Sequence, residues 1–412
     1  MNSVIAENDV HFGNIEPPPI DCDVQDLPSR VIDRKLIEHL SAVERQQLLD
    51  LIDEFAICFS DKPGLCDAAK HKIVTTKDFV PKTFKPYKIP EALKPEVEKQ
   101  IDSLLQDGFV VPSTSPMISP IICVVKNDSC KTGSMRVRIV CDFRYLNKFT
   151  EPDAFPVPDQ EEVTNKLASF QIISVFDAKA GYWQTEVDQN SQWLLGFATH
   201  HGLWQWTRTP FGAKNSGATF LRAIQHVLRP IRDICASYVD DMGVGSNTWE
   251  GHLINIRRFL NVIKDASITL NLQKCEFAKP FVRFVGYIVG SNLKYADPDK
   301  LVALQGISRP TTQKQIKSFL GMMAFHRMFI DHFADIAKPL TDLTSSKYCK
   351  NFVWSNVHEA SFCELKLRLQ NLVSLTVPRI GALEVCLSYV PMRVDMLFQV
   401  VYTRERTTTL RK

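Results

Sequence analysis

The chain has 412 residues, 45% of them hydrophobic and 23% charged, which excludes whole-chain disorder, collagen-like repeats and other low-complexity classes. At about one domain per 150 residues, the length predicts two or three domains. The formal net charge of +3 hides an uneven distribution: residues 1–66 hold 5 basic and 13 acidic side chains, which leaves +11 on residues 67–412. An acidic leader on a basic body permits a polyanionic partner without requiring one.

The chain shows no signal for a membrane or for secretion. No apolar run approaches the ~18 residues of a membrane span, and residues 1–10 are polar and acidic, so we expect no membrane partner and no signal peptide. The 11 cysteines include no C-x-x-C pair, and no ligand cluster for zinc is visible in the sequence. We therefore expect reduced, mostly buried thiols of a cytosolic-type protein.

The first part of the chain predicts a flexible leader followed by helical and extended segments. Residues 1–28 are acidic and contain three consecutive prolines, and apolar residues recur at helical spacing over 37–59. Residues 67–90 are basic and extended, and a helix is predicted over 92–107. Strands at 118–125 and 137–143 flank a polar turn, which predicts a two-stranded ribbon.

The middle of the chain alternates strands and helices irregularly. Strands are predicted at 172–177, 194–199, 203–209 and, as two short strands about a tight turn, at 236–244. Helices are predicted over 212–229 and 252–266, followed by strands near 281–289 and a mainly helical segment at 298–345. Since helices also flank this region, the class is α+β, with several lobes around one sheet.

Three aspartates are the strongest candidates for chemistry. Asp240 and Asp241 are adjacent at the predicted tip of a hairpin, and Asp177 ends an apolar strand. Adjacent carboxylates repel one another unless a cation neutralises them, although aspartate is also common in turns for local reasons. If the two strands are neighbours, the three carboxylates converge, and such hard oxygen ligands suit Mg²⁺. Two such ions ~3.5–4 Å apart can clamp an in-line phosphoryl transfer.

Six segments, in this order, resemble the reverse transcriptases of gypsy-type LTR retrotransposons. They are RIVCDFRYLNK (138–148), FDAKAGYWQ (176–184), TPFGAKNSGATF (209–220), YVDD (238–241), FVGY (284–287), and SFLGM with FHRMFI (318–322 and 325–330). The resemblance runs from about residue 70 to residue 370, and the ordered set is far more specific than any single motif. It implies a right-hand polymerase of fingers, palm and thumb, with a ferredoxin-like split βαβ palm and a helical thumb.

The resemblance implies that the chain is an RNA-directed DNA polymerase, a nucleotidyltransferase. Asp177, Asp240 and Asp241 would then be the catalytic residues and the ligands of two Mg²⁺ ions, with Mn²⁺ as an alternative. The ions would activate the primer 3′-hydroxyl and stabilise the leaving pyrophosphate. The partners implied are an RNA or DNA template–primer and deoxynucleoside triphosphates. The motifs carry no information on oligomeric state.

The resemblance also implies nucleotide-binding residues. Lys126 and Arg138 match fingers positions that hold the incoming triphosphate, and Lys274 matches a lysine near the departing pyrophosphate; a solvated surface lysine is the alternative at positions 126 and 274. Tyr182 matches an aromatic ring that excludes a 2′-hydroxyl, with a core tyrosine as the alternative. Phe211 and Gly212 match the turn of the nucleotide pocket.

The remaining motif residues have structural or binding roles. Phe284, Val285, Gly286 and Tyr287 match the primer grip. Trp204 and Trp206 fall on one strand face, where we expect core packing rather than base stacking, and His200 and His201 are expected to be turn residues. Ser216-Gly217 and Leu221 depart from the Ala-Pro and Gln of many relatives, which affects pocket shape or fidelity rather than chemistry. The thumb segment 298–350 carries a net +4, which fits a nucleic-acid backbone.

The predicted organisation has six parts. They are an acidic flexible leader (1–28), a helical N-terminal unit (29–66), the first part of the fingers (67–150), the palm with the remaining fingers segment (151–290), the thumb (291–345), and a truncated or divergent connection without an RNase H motif (346–412). No protease motif precedes the polymerase and no integrase finger follows, so we expect a polymerase fragment in the cytoplasm, in a retroelement particle, with a nuclear location as an alternative.

Two other function classes stay open at this point. A retroelement-derived protein that binds nucleic acid but has lost turnover fits the irregular C-terminal sequence, although the three aspartates are intact. A palm-type cyclase or other nucleotidyltransferase would share the paired carboxylates, but it would not explain the thumb-like segment 315–330.

Overall fold

The computed structural model describes residues 27–125, 137–345, 352–370 and 375–376. The described strands are β1 (Cys66–His71), β2 (Val110–Pro112), β3 (Ile118–Val125), β4 (Val137–Cys141), β5 (Ile172–Asp177), β6 (Thr185–Val187), β7 (Gly196–Ala198), β8 (Leu203–Trp206), β9 (Cys235–Tyr238), β10 (Asp241–Ser246), β11 (Glu276–Lys279), β12 (Val282–Phe284), β13 (Tyr287–Gly290), β14 (Leu293–Ala296) and β15 (Leu375–Thr376). The described α-helices are α1 (Pro28–Val31), α2 (Ala42–Glu54), α3 (Lys94–Gln106), α4 (Arg144–Phe149), α5 (Gln160–Ala168), α6 (Ser216–Leu228), α7 (Trp249–Asp265), α8 (Pro298–Gln305), α9 (Gln313–Ala324), α10 (Phe333–Asp342) and α11 (Asn356–Gln370).

A four-stranded antiparallel sheet lies at the centre of the described chain. Its strand order is β11-β5-β10-β9, and the chain passes through it as β5-α6-β9-β10-α7-β11. This β-α-β-β-α-β succession, with the first strand β5 next to the last strand β11, is that of a ferredoxin-like sheet. The resemblance to reverse transcriptases implies the same palm.

Residues of β5 alternate between two cores, because successive side chains of a strand point to opposite faces of a sheet. On one face Phe176 packs with α6, α7 and the N-terminal helix α2. On the other face Ile173 and Val175 pack with α5, the β12–β14 hairpins and the C-terminal helices α9 to α11. The sheet therefore connects the N-terminal and C-terminal helical segments through two separate hydrophobic cores.

Two glycines let α5 and the residues after it approach β10 closely. A Cβ added to Gly243 would lie 2.6 Å from a methyl carbon of Leu167, and one added to Gly245 would lie 2.0 Å from the ring of Phe170. Larger residues at these positions would push α5 away from the sheet. The strand that begins with Asp241 is thus held between α5 on one face and α6 and α7 on the other.

A third core supports the segment between α3 and β8. The five-stranded sheet has the order β2-β8-β7-β3-β4, and α3 packs on it through Val97, Ile101 and Leu104. The predicted ribbon is confirmed, since β3 pairs antiparallel with β4 and Val124 lies opposite Arg138. The predicted turn of the ribbon lies outside the described residues.

Most predicted elements are confirmed with small shifts of their ends. The strands at 118–125 and 172–177 have the predicted limits, and the helices predicted over 92–107 and 252–266 are α3 and α7. The helix predicted within 37–59 is confirmed over Ala42–Glu54, where Ser41 and Glu44 form a capping box. The sequence did not indicate α5 or β14, which are too short for their hydrophobic periodicity to be recognised, whereas β1 lies at the start of the segment 67–90 that was predicted as extended. The six predicted part boundaries remain predictions.

No described helix is both long enough and apolar enough to cross a membrane.

We expect Phe176→Ala to destabilise the fold strongly. The Phe176 ring is fully buried, stacks on Phe259 with a centroid distance of 4.5 Å and meets the edge of Phe277 at 5.8 Å. Removing it should cost about 3–5 kcal/mol, because lost transfer free energy adds to the cost of a cavity. Urea unfolding followed by circular dichroism measures the loss. Ile254→Ala, at an exposed position of α7, is the control and should change the midpoint little; similar midpoints for both variants would contradict this account of the core.

Candidate active site

Three carboxylates meet at one end of the central sheet. Asp177 is the last residue of β5 and Asp241 is the first residue of β10, and the two lie directly opposite each other in the antiparallel register. Asp240 occupies the two-residue turn between β9 and β10. The convergence predicted from the sequence is therefore confirmed. Facing like charges destabilise a sheet, so this arrangement has a cost in the absence of a cation.

Burial and repulsion between the carboxylates raise the pKa of Asp240 and of Asp241. Burial, then the charges of Asp177 and Asp241, raise the pKa of Asp240 from 3.8 to about 6. Burial and the charge of Asp177 also raise the pKa of Asp241. Lys274 counteracts both shifts, and its Nζ lies 3.2 Å from Asp177 Oδ2. One partly exposed lysine does not neutralise three carboxylates.

The residues present fit a divalent-metal site. Asp240 Oδ1 is buried, and no hydrogen-bond donor reaches it from the described part of the chain. An orphaned buried carboxylate oxygen is costly unless a cation occupies the space beside it. All three side chains offer hard oxygen ligands, which Mg²⁺ prefers, and none offers sulfur or imidazole.

The backbone near the carboxylates has left-handed conformations at two residues other than glycine. Val239, a β-branched residue, has a φ of +55°, and Ala180 in the loop after β5 has a φ of +49°. Such left-handed conformations cost about 1–3 kcal/mol and cluster at functional sites. Two hydrogen bonds oppose the strain, from Asn271 N to the carbonyl oxygen of Asp177 (2.8 Å) and from Ala178 N to that of Asp240 (3.3 Å).

A cavity of about 680 Å³ opens in front of Asp177 and Asp240. It extends to β4, where Arg138 is exposed, and Phe211 and Lys274 also line it. The structure thus brings together around one cavity three of the six predicted nucleotide-binding residues and two of the three aspartates. Lys126 lies outside the described residues. A cavity of this size, with carboxylates at one end and a guanidinium at the other, can hold a small anionic ligand with its cations.

Tyr182 stands beside the cavity as part of an aromatic cluster. Its ring centroid lies 5.2 Å from that of Phe211 and 5.9 Å from that of Phe220. The side chain is half-buried, so it is both the edge of a core and a wall near the site. A Cβ at Gly217 would lie 3.5 Å from the Tyr182 hydroxyl, an ordinary van der Waals contact, so the glycine that departs from the usual Ala-Pro is not required by space at this point.

Gly212 has the backbone conformation that its predicted role requires. Its φ is +89°, a region that side chains disfavour, and its carbonyl oxygen accepts a 2.8 Å hydrogen bond from Asn147 Nδ2. Asn147 Oδ1 in turn accepts from Lys214 N. Asn147 thus clamps the turn on both sides. No role was predicted for this residue from the sequence, although it lies within the quoted segment 138–148.

The predicted primer grip is a tight hairpin turn flanked by two buried aromatic residues. Val285 (φ +50°) and Gly286 (φ +79°) form the turn between β12 and β13, and Phe284 is paired with Tyr287. Both aromatic rings are buried, and Tyr287 stacks on Phe325 at 4.7 Å. The turn backbone, rather than these rings, is the part of this segment available to a ligand; the role of the segment stays a prediction.

Trp206 is a core residue, as expected. It is buried against Phe197 and Trp183, and Trp204 beside it is half-buried.

The buried amide of Gln184 is a further element of the site; no role was predicted for it, although it ends the quoted segment 176–184. It donates 2.8 Å hydrogen bonds to the carbonyl oxygens of Lys179 and Thr269, and accepts one from Thr269 N. This amide ties the loop after Asp177 to the segment that leads to Lys274.

Residues 124–289 match the family model described as reverse transcriptase (RNA-dependent DNA polymerase). These residues belong to the reverse transcriptase family. The chain is 38% identical over 265 residues to the Pol polyprotein of the transposon opus and 34% identical over 309 residues to that of the transposon 297, both from Drosophila melanogaster. These matches cover 64% and 74% of this chain, and a third, to the transposon gypsy, is 34% identical over 248 residues. The predicted resemblance to gypsy-type retrotransposon enzymes is confirmed.

The reverse transcriptase domain also has solved structural relatives. A foamy viral protease–reverse transcriptase in complex with an RNA/DNA hybrid aligns over 87% of this chain and 48% of that one, with a TM-score of 0.72 and 26% identity. The same viral protein in complex with double-stranded DNA gives a TM-score of 0.75 at 26% identity, over 85% of this chain and 73% of that one. The predicted α+β right-hand polymerase fold is confirmed.

The chain spans between about a quarter and a third of the length of the three Drosophila Pol polyproteins that it matches.

Proposed function

We propose that the chain is an RNA-directed DNA polymerase of a retroelement, which adds deoxynucleotides to a primer 3′-hydroxyl on an RNA or DNA template. The observation that carries the proposal is the convergence of Asp177, Asp240 and Asp241, two of which, Asp177 and Asp240, line a cavity large enough for a nucleotide. The family match of residues 124–289 supports the reaction class.

Asp177, Asp240 and Asp241 are proposed to hold two Mg²⁺ ions. When bound, the ions would supply Lewis-acid activation of the primer hydroxyl and neutralise charge on the leaving pyrophosphate. The protein's own contribution is to present the three carboxylates from two adjacent strand ends, with the turn at Val239 setting the position of Asp240. Lys274, beside Asp177, is placed to give a proton or a positive charge to a departing pyrophosphate.

Nucleotide selection is proposed to depend on the opposite wall of the cavity. Arg138 is exposed on β4, and within the described residues it forms no ion pair, so its guanidinium is available to triphosphate oxygens. Tyr182 and the Gly212 turn close the sugar side of the pocket in this proposal. The template–primer would lie along the basic thumb segment, in line with the duplex-bound state of the foamy viral relatives.

A primer-extension assay tests this function. Purified chain, a DNA primer annealed to an RNA template, deoxynucleotides and Mg²⁺ should give extended products. EDTA should abolish extension, because the carboxylates are themselves negative and cannot neutralise the charge of the triphosphate without a divalent ion. Salt-sensitive duplex binding measured by fluorescence anisotropy serves as the parallel readout. Duplex binding with no extension under any divalent ion would replace the proposal by a nucleic-acid-binding protein without turnover.

A further inference from the structure

A second cluster of metal-ligating side chains lies in the five-stranded sheet region, away from the aspartates. Glu98 is on α3, and His200 and His201 form the turn between β7 and β8. Glu98 Oε1 lies 2.8 Å from His200 Nε2 and 2.5 Å from His201 Nε2. The three ligand atoms lie within 4.8 Å of one another.

The geometry of the cluster allows an ion to replace the two hydrogen bonds. Both imidazole rings direct Nε2 at the same carboxylate oxygen, and their centroids are only 4.0 Å apart. Zinc ligands lie about 2.0–2.2 Å from the ion. A displacement of less than about 1 Å would therefore bring all three atoms into a first coordination shell around an ion between them.

The turn that carries the two histidines is held in place by its neighbours. Thr199 Oγ1 accepts hydrogen bonds from Trp204 Nε1 (3.0 Å) and from His201 N (3.3 Å). A cavity of about 220 Å³ adjoins the cluster, and Asp102, one helical turn after Glu98, lines it together with the three ligands. There is thus space for water and a second carboxylate on the same helix face as Glu98.

We propose that Glu98, His200 and His201 bind a first-row divalent transition ion, with Zn²⁺ as the expected occupant and Asp102 or water completing the shell. Two imidazoles and one carboxylate favour Zn²⁺ and its neighbours, whereas Mg²⁺ and Ca²⁺ favour oxygen-only sites. The ion would tie α3 to the β7–β8 hairpin. Since Gln100 and Leu104 on α3 line the cavity at the aspartates, the bound ion would also restrict the motion of one wall of that cavity.

Metal titration of the untagged full chain tests this site by two readouts that do not require polymerase activity. We expect Co²⁺ to produce a visible d–d band, and Zn²⁺ at about 100-fold excess over its dissociation constant to raise Tm by about 3 °C. In the D177N/D240N background, where the aspartates no longer form a metal site, adding H200A/H201A or E98Q should abolish both responses. H332A is the matched control, because His332 is also exposed beside a carboxylate, Asp335 at 3.7 Å, but has no second histidine there among the described residues.

A further variant separates this site from the aspartates. D177N/D240N should keep the Co²⁺ band and the Zn²⁺-dependent rise in Tm, since neither residue touches the Glu98 cluster. Loss of both responses in D177N/D240N, their survival when H200A/H201A is added to D177N/D240N, or the absence of saturable binding by the wild-type chain would overturn the proposal. Because these readouts are independent of primer extension, the experiment tests the metal site separately from the proposed polymerase activity.

Discussion

Asp240→Asn is expected to abolish primer extension and to leave template–primer binding largely intact. The carboxylate projects from the β9–β10 turn with a buried, orphaned oxygen, so its replacement removes one charged metal ligand without removing volume. Loss of several kcal/mol of charge stabilisation corresponds to a rate decrease of at least about 10³-fold. Single-turnover extension and fluorescence anisotropy on the same preparation measure the two effects.

The same substitution has an expected effect on stability that separates chemistry from folding. In metal-free buffer the folded state holds Asp240 with a pKa of about 6 against an ordinary 3.8, so ionisation at neutral pH opposes folding. The amide of the variant cannot ionise, so the cost of ionising residue 240 in the folded state disappears. The variant should therefore be more stable than wild type at pH 7–8 by up to about 3 kcal/mol. This is an upper limit, because solvent screens the partly exposed group.

The sign of the pH dependence follows from the raised pKa. The contribution of Asp240 to wild-type stability should be most favourable below about pH 4, where this carboxyl is protonated in both states, and should fall as pH rises from about 4 to 6. The amide of the Asp240→Asn variant cannot titrate, so the difference between variant and wild type should vanish at low pH. Urea midpoints measured in EDTA at pH 4 and pH 8 give this comparison. A variant that loses duplex binding and stability together with extension would show that Asp240 is structural.

Tyr182→Val is expected to let the polymerase accept ribonucleotides. The ring packs against Phe211, which lines the cavity, and the clash of an aromatic ring with a 2′-hydroxyl is the steric element that would favour deoxynucleotides. Removing a side chain of this bulk relaxes discrimination by about 1–3 kcal/mol, or roughly 10- to 200-fold in the ratio of kcat/KM for deoxynucleotides over ribonucleotides. Steady-state kinetics with both nucleotide types measure the ratio.

Tyr182→Phe is the matched control for this prediction. It keeps the ring and its packing against Phe211 and Phe220 and removes only the hydroxyl, so discrimination should stay close to wild type. Unchanged discrimination in the Val variant would leave Tyr182 as a core residue, the alternative that its half-buried position also allows. Equal loss of discrimination in both variants would assign the effect to the hydroxyl rather than to bulk.

Much of the site could be predicted because its members are close together in the chain or end an obvious strand. The hydrophobic run of β5 indicates where Asp177 stands, and the short hairpin brings Asp240 and Asp241 to its tip. Short elements were missed where their contacts are distant in sequence. The helix α5 has two apolar turns at most, and its position is decided by the glycines of β10, which lie much later in the chain.

The sequence by itself determined the reverse transcriptase motifs, their order and the identity of the three aspartates, because local spacing and strand periodicity carry that information. Only the tertiary structure decided which distant side chains join them: Lys274 beside Asp177, Asn147 across the Gly212 turn, and Glu98 beside the histidines that the sequence suggests are ordinary turn residues. These contacts depend on how helices and sheets pack, and packing is set by the shapes of cores built from residues that are far apart in the chain.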